Sequence, residues 1–195
     1  MFVIGITGGI ASGKSEIESL LSKMGFPVID GDKVNYKLLE KNKAGYKAVV
    51  KSFGKEILDS TKQLDKAKIR EIVFNNPKSL KKLEKILHPL IKKEVEKEIK
   101  LFSKHFKFLI YSNPIMFEGK FDYICDKVIT IKAPLKERIT RIKKRNGFTQ
   151  AEANKIIKSQ MSDALRSKKS DITINNNGTI KELKIKTIKA LEKIL

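Results

Sequence analysis

Gly8-Gly9-Ile10-Ala11-Ser12-Gly13-Lys14-Ser15 matches the pattern G-x-x-x-x-G-K-[ST], follows the apolar run Phe2-Val3-Ile4-Gly5-Ile6 and opens a segment with helical periodicity. Strand, glycine loop, then helix is the context in which this pattern signifies a phosphate-binding loop. The glycines permit a tight turn that aims successive backbone N–H groups inward, and the following helix adds its positive N-terminal end. Gly8, Gly9, Ala11, Ser12, Gly13, Lys14 and Ser15 are therefore the expected cradle of a polyphosphate. Lys14 is expected to reach the β- and γ-phosphates. Ser15 is expected to place its hydroxyl on Mg²⁺, which bridges the phosphates and neutralises charge developing in the transition state.

The 195 residues suffice to bury a sizeable core, with one domain carrying an inserted or appended lobe as the natural arrangement. No apolar run approaches the roughly eighteen residues of a membrane span, and the N-terminal apolar run ends at the loop, unlike a signal peptide. The expected compartment is the cytoplasm. A single Cys125 excludes an internal disulfide or a cysteine cluster and points to a small buried side chain. Lys and Arg number 42 against 22 Asp and Glu, so the formal charge of +20 favours anionic partners. The basic residues are nearly all lysine and spread over nearly every helical segment, which describes a solvated surface better than a nucleic-acid stripe.

Ile17, Leu20, Leu21 and Met24 share one face of a first helix that ends at Gly25. Phe26 to Ile29 reads as a second strand that delivers Asp30-Gly31-Asp32. Carboxylates leaving a strand roughly 20 residues after a phosphate loop fall at the carboxyl edge of a parallel sheet, where open α/β folds bind ligands. Asp32 either accepts a proton from a substrate hydroxyl or N-caps a helix over 33–41. From Lys33 to about Lys104 come helical pieces rich in Lys and Glu. Tyr36, Leu38, Leu39, Val49, Val50 and Phe53 supply apolar positions, Asp65 caps a helix carrying Ile69, Ile72, Val73 and Phe74, and Pro77 starts a long one. Within the long helix, Pro89 disfavours helical geometry at His88 and is expected to kink or break it. His88 is either structural or functional.

Phe106 to Tyr111 reads as the third strand, running into Ser112-Asn113-Pro114-Ile115-Met116-Phe117-Glu118. The strand end is where a phosphate-loop enzyme places a metal-side group, usually Asp, and here it holds Ser112. Glu118 either points into the cleft or has a loop or helix-capping role. Val128 to Ile131 is a fourth strand, and a helix starting near Leu135 carries Arg138, Arg141 and Arg145 on one face, either solvated or closing over a triphosphate. Thr149 and Glu152 form a capping box for a helix through about Met161, and this helix pair reads as a mobile lid. Asp171 to Ile174 is the last strand. Asn175-Asn176-Asn177-Gly178 makes a turn that also suits contact with a base. A final helix from Thr179 to Leu195 buries Ile180, Leu183, Ile188, Leu191 and Ile194, with Lys184 and Thr187 interrupting the face and loosening its packing.

Ile6 to Ser15, Asp30-Gly31-Asp32, Leu87-His88-Pro89, Pro114-Ile115-Met116-Phe117-Glu118, Arg145-Asn146-Gly147, Gln160-Met161, Ser170-Asp171 and Asn176-Asn177-Gly178, in this order, make the chain resemble the dephospho-CoA kinase family. The resemblance runs from about Phe2 to the final helix. It implies an α/β, three-layer P-loop NTPase fold with a parallel sheet of about five strands, an inserted helical acceptor-binding lobe and a helical lid. The implied division is a nucleotide-binding core of 1–32, 105–137 and 169–195, an acceptor lobe of 33–104 and a lid of 138–168. The implied activity is transfer of the ATP γ-phosphate, with Mg²⁺, to the 3′-hydroxyl of dephospho-CoA, in a monomer or weak homo-oligomer without nucleic-acid or membrane partners. Asp32 then serves as base or orienter of the hydroxyl, Lys14 acts on the phosphates, the lid brings Arg141, Arg145 and Arg166 toward them, and Asn176 approaches adenine. His88, Phe117 and Glu118 join Asp32 at the acceptor. The chain departs from the family at Glu16, a nucleotide contact where Thr is common, at Ser112, where an acid is common, and at Arg138, where Gln is usual.

Two other readings compete. A kinase for a nucleoside monophosphate or another small hydroxyl compound would share the loop and the lid. A nucleic-acid-binding protein regulated by a nucleoside triphosphate would explain the charge, yet no basic patch with interleaved aromatics is present.

Overall fold

The structure is a computed structural model that describes residues 1–195, the side chain of Phe74 excepted, so the expectation for Phe74 lies outside the described residues. In chain order the elements begin with β1 (Phe2–Gly8), α1 (Lys14–Lys23), β2 (Val28–Asp30), α2 (Gly31–Leu38), α3 (Ala44–Phe53), α4 (Lys66–Asn75) and α5 (Pro77–Phe102). They continue with β3 (Phe108–Ser112), β4 (Lys127–Lys132), α6 (Leu135–Asn146), α7 (Gln150–Lys158), α8 (Asp163–Lys169), β5 (Ile172–Asn175) and α9 (Ile180–Glu192). The chain divides into two compact units, one of Met1–Ile29 with Phe102–Leu195 and one of Asp30–Leu101.

The five strands form one sheet in the order β2-β3-β1-β4-β5, the α/β architecture expected from the sequence. β1 pairs in parallel with β3, Ile6 opposite Ser112, and with β4, Gly8 opposite Ile131, while β4 pairs in parallel with β5. After β1 the chain heads for one edge of the sheet and after β4 for the other. The loop leaving β1 therefore sits at the point where the strand order reverses, the ligand end of such sheets. The strands are near-continuous apolar runs because both faces are covered. Ile4, Ile6, Ile110, Ile129, Ile131 and Ile174 pack with Ile17 and Leu21 of α1 and with Leu183, Ala190 and Leu191 of α9.

The phase of α9 differs from the sequence reading. Ile180 and Ile188 are exposed, whereas Thr187 is fully buried and donates its hydroxyl to the carbonyl of Leu183 at 2.8 Å. That internal bond satisfies the hydroxyl, so Thr187 completes the packed face instead of loosening it. Met24, read as part of the α1 face, lies beyond the helix and is 46% exposed.

In the Asp30–Leu101 unit, α5 runs unbroken through Pro89, contrary to the expected break, and His88 is helical. Proline removes a single donor, and Leu87, Ile91 and Val95 bury one face on either side of it, which outweighs that loss. The α2 cap is Asp30, not Asp32: its carboxylate accepts the N–H groups of Asp32 and Lys33 at 2.9 and 3.3 Å, and the helix starts earlier than residue 33. Asp65 caps α4 as expected. The Thr149–Glu152 capping box forms, but α7 ends at Lys158, and a separate α8 begins at the Ser162 cap.

Candidate active site

The loop between Gly8 and Lys14 is shaped by its outer bonds. Arg138 Nε donates to the carbonyl of Ile10 at 2.8 Å, Arg141 Nη1 to that of Ala11 at 3.1 Å, and Asn176 Nδ2 to that of Ser12 at 2.8 Å. Because each peptide is planar and trans, a carbonyl turned outward sends the next N–H the other way. The amides of Ala11 and Gly13 are thereby directed to the inside of the turn, the concave arrangement that binds anions. The Ser12 amide closes the turn on the carbonyl of Gly9 at 3.1 Å, and the Ile10 amide is held by Gln160 Oε1 at 2.8 Å. Gly13 has φ 104°, a left-handed conformation natural to glycine, and a β-carbon there would strike the Asn176 amide. No side chain caps α1. Ser12 Oγ is buried and has no hydrogen-bond partner among the described residues, an orphaned polar atom that suits a phosphate oxygen.

Lys14 extends to the end of β3. Its Nζ donates to Ser112 Oγ at 2.8 Å and pairs with Glu18 Oε1 at 2.6 Å, and Ser112 hydrogen-bonds the same carboxylate oxygen. Ser15 and Glu16 lie exposed on the first turn of α1. Among the described residues no group of three or more His, Cys, Asp or Glu could hold a metal alone. Mg²⁺ on a nucleotide keeps several waters and takes few protein ligands beside the phosphates, so it does not call for such a cluster. The Ser15 hydroxyl beside the loop is a suitable donor for it.

The helices after β4 brace the loop from outside. Arg138 is 4% exposed and pairs with Asp163 at 3.0 Å, and burial lowers its pKa against the opposing pull of Asp163. Arg166 is fully buried and pairs with Glu118 at 3.1 Å and Asp163 at 3.2 Å. Glu118 also accepts the Met161 amide at 3.2 Å, so it ties the segment before α8 to the loop after β3. Phe117 is buried, with the Lys169 ammonium over its ring. Arg141 also pairs with Glu137 at 2.7 Å, and Arg145 is exposed, its Nε donating to the neighbouring Asn146. Asn176 is committed to the loop backbone.

Asp32 and His88 belong to the other unit, Asp32 exposed on the first turn of α2 and His88 half-buried in α5. Burial pushes the His88 imidazole below its ordinary value, with Glu84 opposing and Lys92 reinforcing the shift. Burial first, then Asp122 and Asp126, push the Cys125 thiol up, so it stays protonated and unreactive. Sequence reasoning passed over Glu18, whose i,i+4 spacing from Lys14 was the available signal, and Asp163, for which no local signal existed; Gln160 entered only through the family resemblance, without a role of its own.

A phosphate loop at the reversal point of a parallel sheet, braced by arginine-bearing helices, defines a P-loop kinase. The sequence profile of the dephospho-CoA kinase family matches residues 2–182, and the chain belongs to that family. It is 39% identical to a dephospho-CoA kinase of Fusobacterium nucleatum over 183 residues, 94% of this chain and 93% of the other. It is 36% identical to the one of Carboxydothermus hydrogenoformans over 192 residues, 98% of this chain and 93% of the other. Dephospho-CoA kinase from Campylobacter jejuni superposes with a TM-score of 0.72 at 28% identity, covering 98% of this chain and 96% of that one. The chain is thus a kinase that phosphorylates an alcohol group.

Proposed function

We propose that this chain transfers the γ-phosphate of ATP to the 3′-hydroxyl of dephospho-CoA, giving coenzyme A and ADP. The observation that carries the reading is the loop itself, whose carbonyls are turned outward and whose amides, buried Ser12 hydroxyl and uncapped helix start favour a polyphosphate. Lys14 reaches the β- and γ-phosphates, and Ser15 holds Mg²⁺, which when bound neutralises charge on the transferring group. Gly8, Gly9, Ala11, Ser12, Gly13 and Glu16 line the nucleotide, and Asn176 sets the loop and approaches the adenine side.

Residues 33–104 form the acceptor lobe, where Asp32 at its border receives or orients the 3′-hydroxyl proton and His88 shapes the acceptor site. Residues 138–168 form a lid. Its closure brings Arg141 and Arg145 to the phosphates, excludes water that would hydrolyse ATP, and seats Phe117 and Glu118 beside the acceptor. Among the described residues no helix is long and apolar enough to cross a membrane, and the enzyme works in the cytoplasm as a monomer or weak homo-oligomer.

A coupled ADP-release assay with Mg-ATP compares dephospho-CoA, AMP and no acceptor, with mass spectrometry of the product. A phosphate gained by dephospho-CoA alone is expected. Turnover only on another acceptor would keep the kinase and overturn the substrate.

A further inference from the structure

The lysine of the loop is held by a carboxylate to which none of the roles above assigns work. Lys14, Glu18 and Ser112 converge from α1 and the end of β3, with Glu18 Oε1 bonded to both the Lys14 ammonium and the Ser112 hydroxyl. Ser112 is fully buried, and the side chains of Lys14 and Glu18 are 14% and 15% exposed. In phosphate-loop enzymes the strand beside the loop ends in an acid that serves the metal side of the nucleotide. Here β3 ends in a hydroxyl, which carries no charge. The charge arrives instead from α1, one helical turn beyond Lys14, where i,i+4 spacing sets both side chains on one face.

We propose that Glu18, fixed by Ser112, replaces the missing strand-end acid: it positions Lys14 and supplies the metal side of the site with negative charge for the water shell of Mg²⁺. The proposal rests on the reading of the loop as a Mg-ATP site. Glu18 is a positioning residue, acting through Lys14 and metal-bound water. Charge at this place is what matters, so an acid introduced on β3 should do the same work from the other side.

Calorimetric titration with ADP, once with Mg²⁺ and once with EDTA, tests this on the wild type, Glu18→Gln and the double variant Glu18→Ala with Ser112→Asp. Glu18→Gln should lose about tenfold more affinity with Mg²⁺ than with EDTA, the scale expected for a residue that acts through a metal's ligands. The double variant should recover the magnesium-dependent part. Equal changes in both titrations would overturn the proposal, since Glu18 would then only tether Lys14. So would a double variant that melts like the wild type yet stays as weak as Glu18→Gln. Should the double variant fail to fold, the contrast between the two titrations of Glu18→Gln decides alone. A wild type that binds ADP with magnesium dependence but leaves dephospho-CoA untouched would overturn the substrate and leave Glu18 standing.

Discussion

The two units handle charge in opposite ways. Around the loop, Arg138 and Arg166 are 4% and 0% exposed and pair with Asp163 and Glu118 from separate segments of the chain. In the unit Asp30–Leu101 the ion pairs are long or local, as in Lys37 with Glu98 at 4.0 Å and Lys68 with Asp65 at 3.8 Å, and Lys37 is 68% exposed. Buried pairs are costly to break, whereas exposed ones contribute little. The loop unit thus uses its arginines to lock the backbone of the nucleotide site, while the helical unit leaves its charges to solvent and rests on Tyr46, Val49, Ile57, Leu87, Ile91 and Val95.

The largest expected effect asks whether the helical unit contributes chemistry or only binding. Asp32→Asn should lower kcat by about 10²–10⁴-fold, the usual worth of a general base, with the affinity for Mg-ATP retained because the loop is untouched. Steady-state kinetics on dephospho-CoA, with nucleotide binding measured separately, reads both. A kcat close to the wild type would confine the chemistry to the loop unit and remove the assigned role of Asp32.

Next comes the contrast of charges itself. Arg166→Met leaves Glu118 without its buried cation and Asp163 with Arg138 alone, and should cost about 3 kcal/mol in a denaturant titration. Lys37→Met, at the exposed pair of the other unit, should change stability by less than about 1 kcal/mol. Similar losses for both variants would erase the distinction between the units.

Helix caps should be blind to the distinction, because they act within one turn. Thr149 in the loop unit and Asp65 in the helical unit both accept backbone N–H groups at helix starts. Replacing either by alanine should cost about 1 kcal/mol. A much larger loss for Thr149→Ala would mean that α7 is coupled to the loop more tightly than its cap alone requires.

What was legible in the sequence follows the same division between local and distant causes. The loop, the Thr149 capping box and the apolar strands are written in spacings of a few residues, and each formed, the strands with their ends shifted by one or two residues from the reading. The bonds that shape the loop join residues 128, 130 and 164 positions apart, and no local pattern announces that Arg138, Arg141 and Asn176 would turn to its carbonyls. Arg138 was read from its helix face as solvated or phosphate-facing; its burial against Ile10 and Asp163 depends on where α6 and α8 pack. Thr187 was misread because a threonine that returns its hydroxyl to its own helix behaves as an apolar residue, and Pro89 because tertiary burial outweighs one missing donor.

The smallest effect concerns the helical unit and pH. Burial holds the His88 imidazole below its ordinary value of 6.5, Lys92 adds to the depression and Glu84 opposes it. In the unfolded chain His88 titrates at the ordinary value, so between the two values the unfolded state binds a proton that the folded state refuses. Stability is therefore fully present above about pH 6.5, falls as pH drops through that value, and levels off below the folded pKa. Thermal melts from about pH 7.5 to about pH 5.5 should show this decline in the wild type and a shallower one in His88→Gln, which cannot take up the proton. Were the two slopes equal, His88 would not be the group responsible, and the helical unit would owe its acid response to surface carboxylates; were the variant steeper, the buried imidazole would be stabilised by protonation, the reverse of what its desolvation dictates.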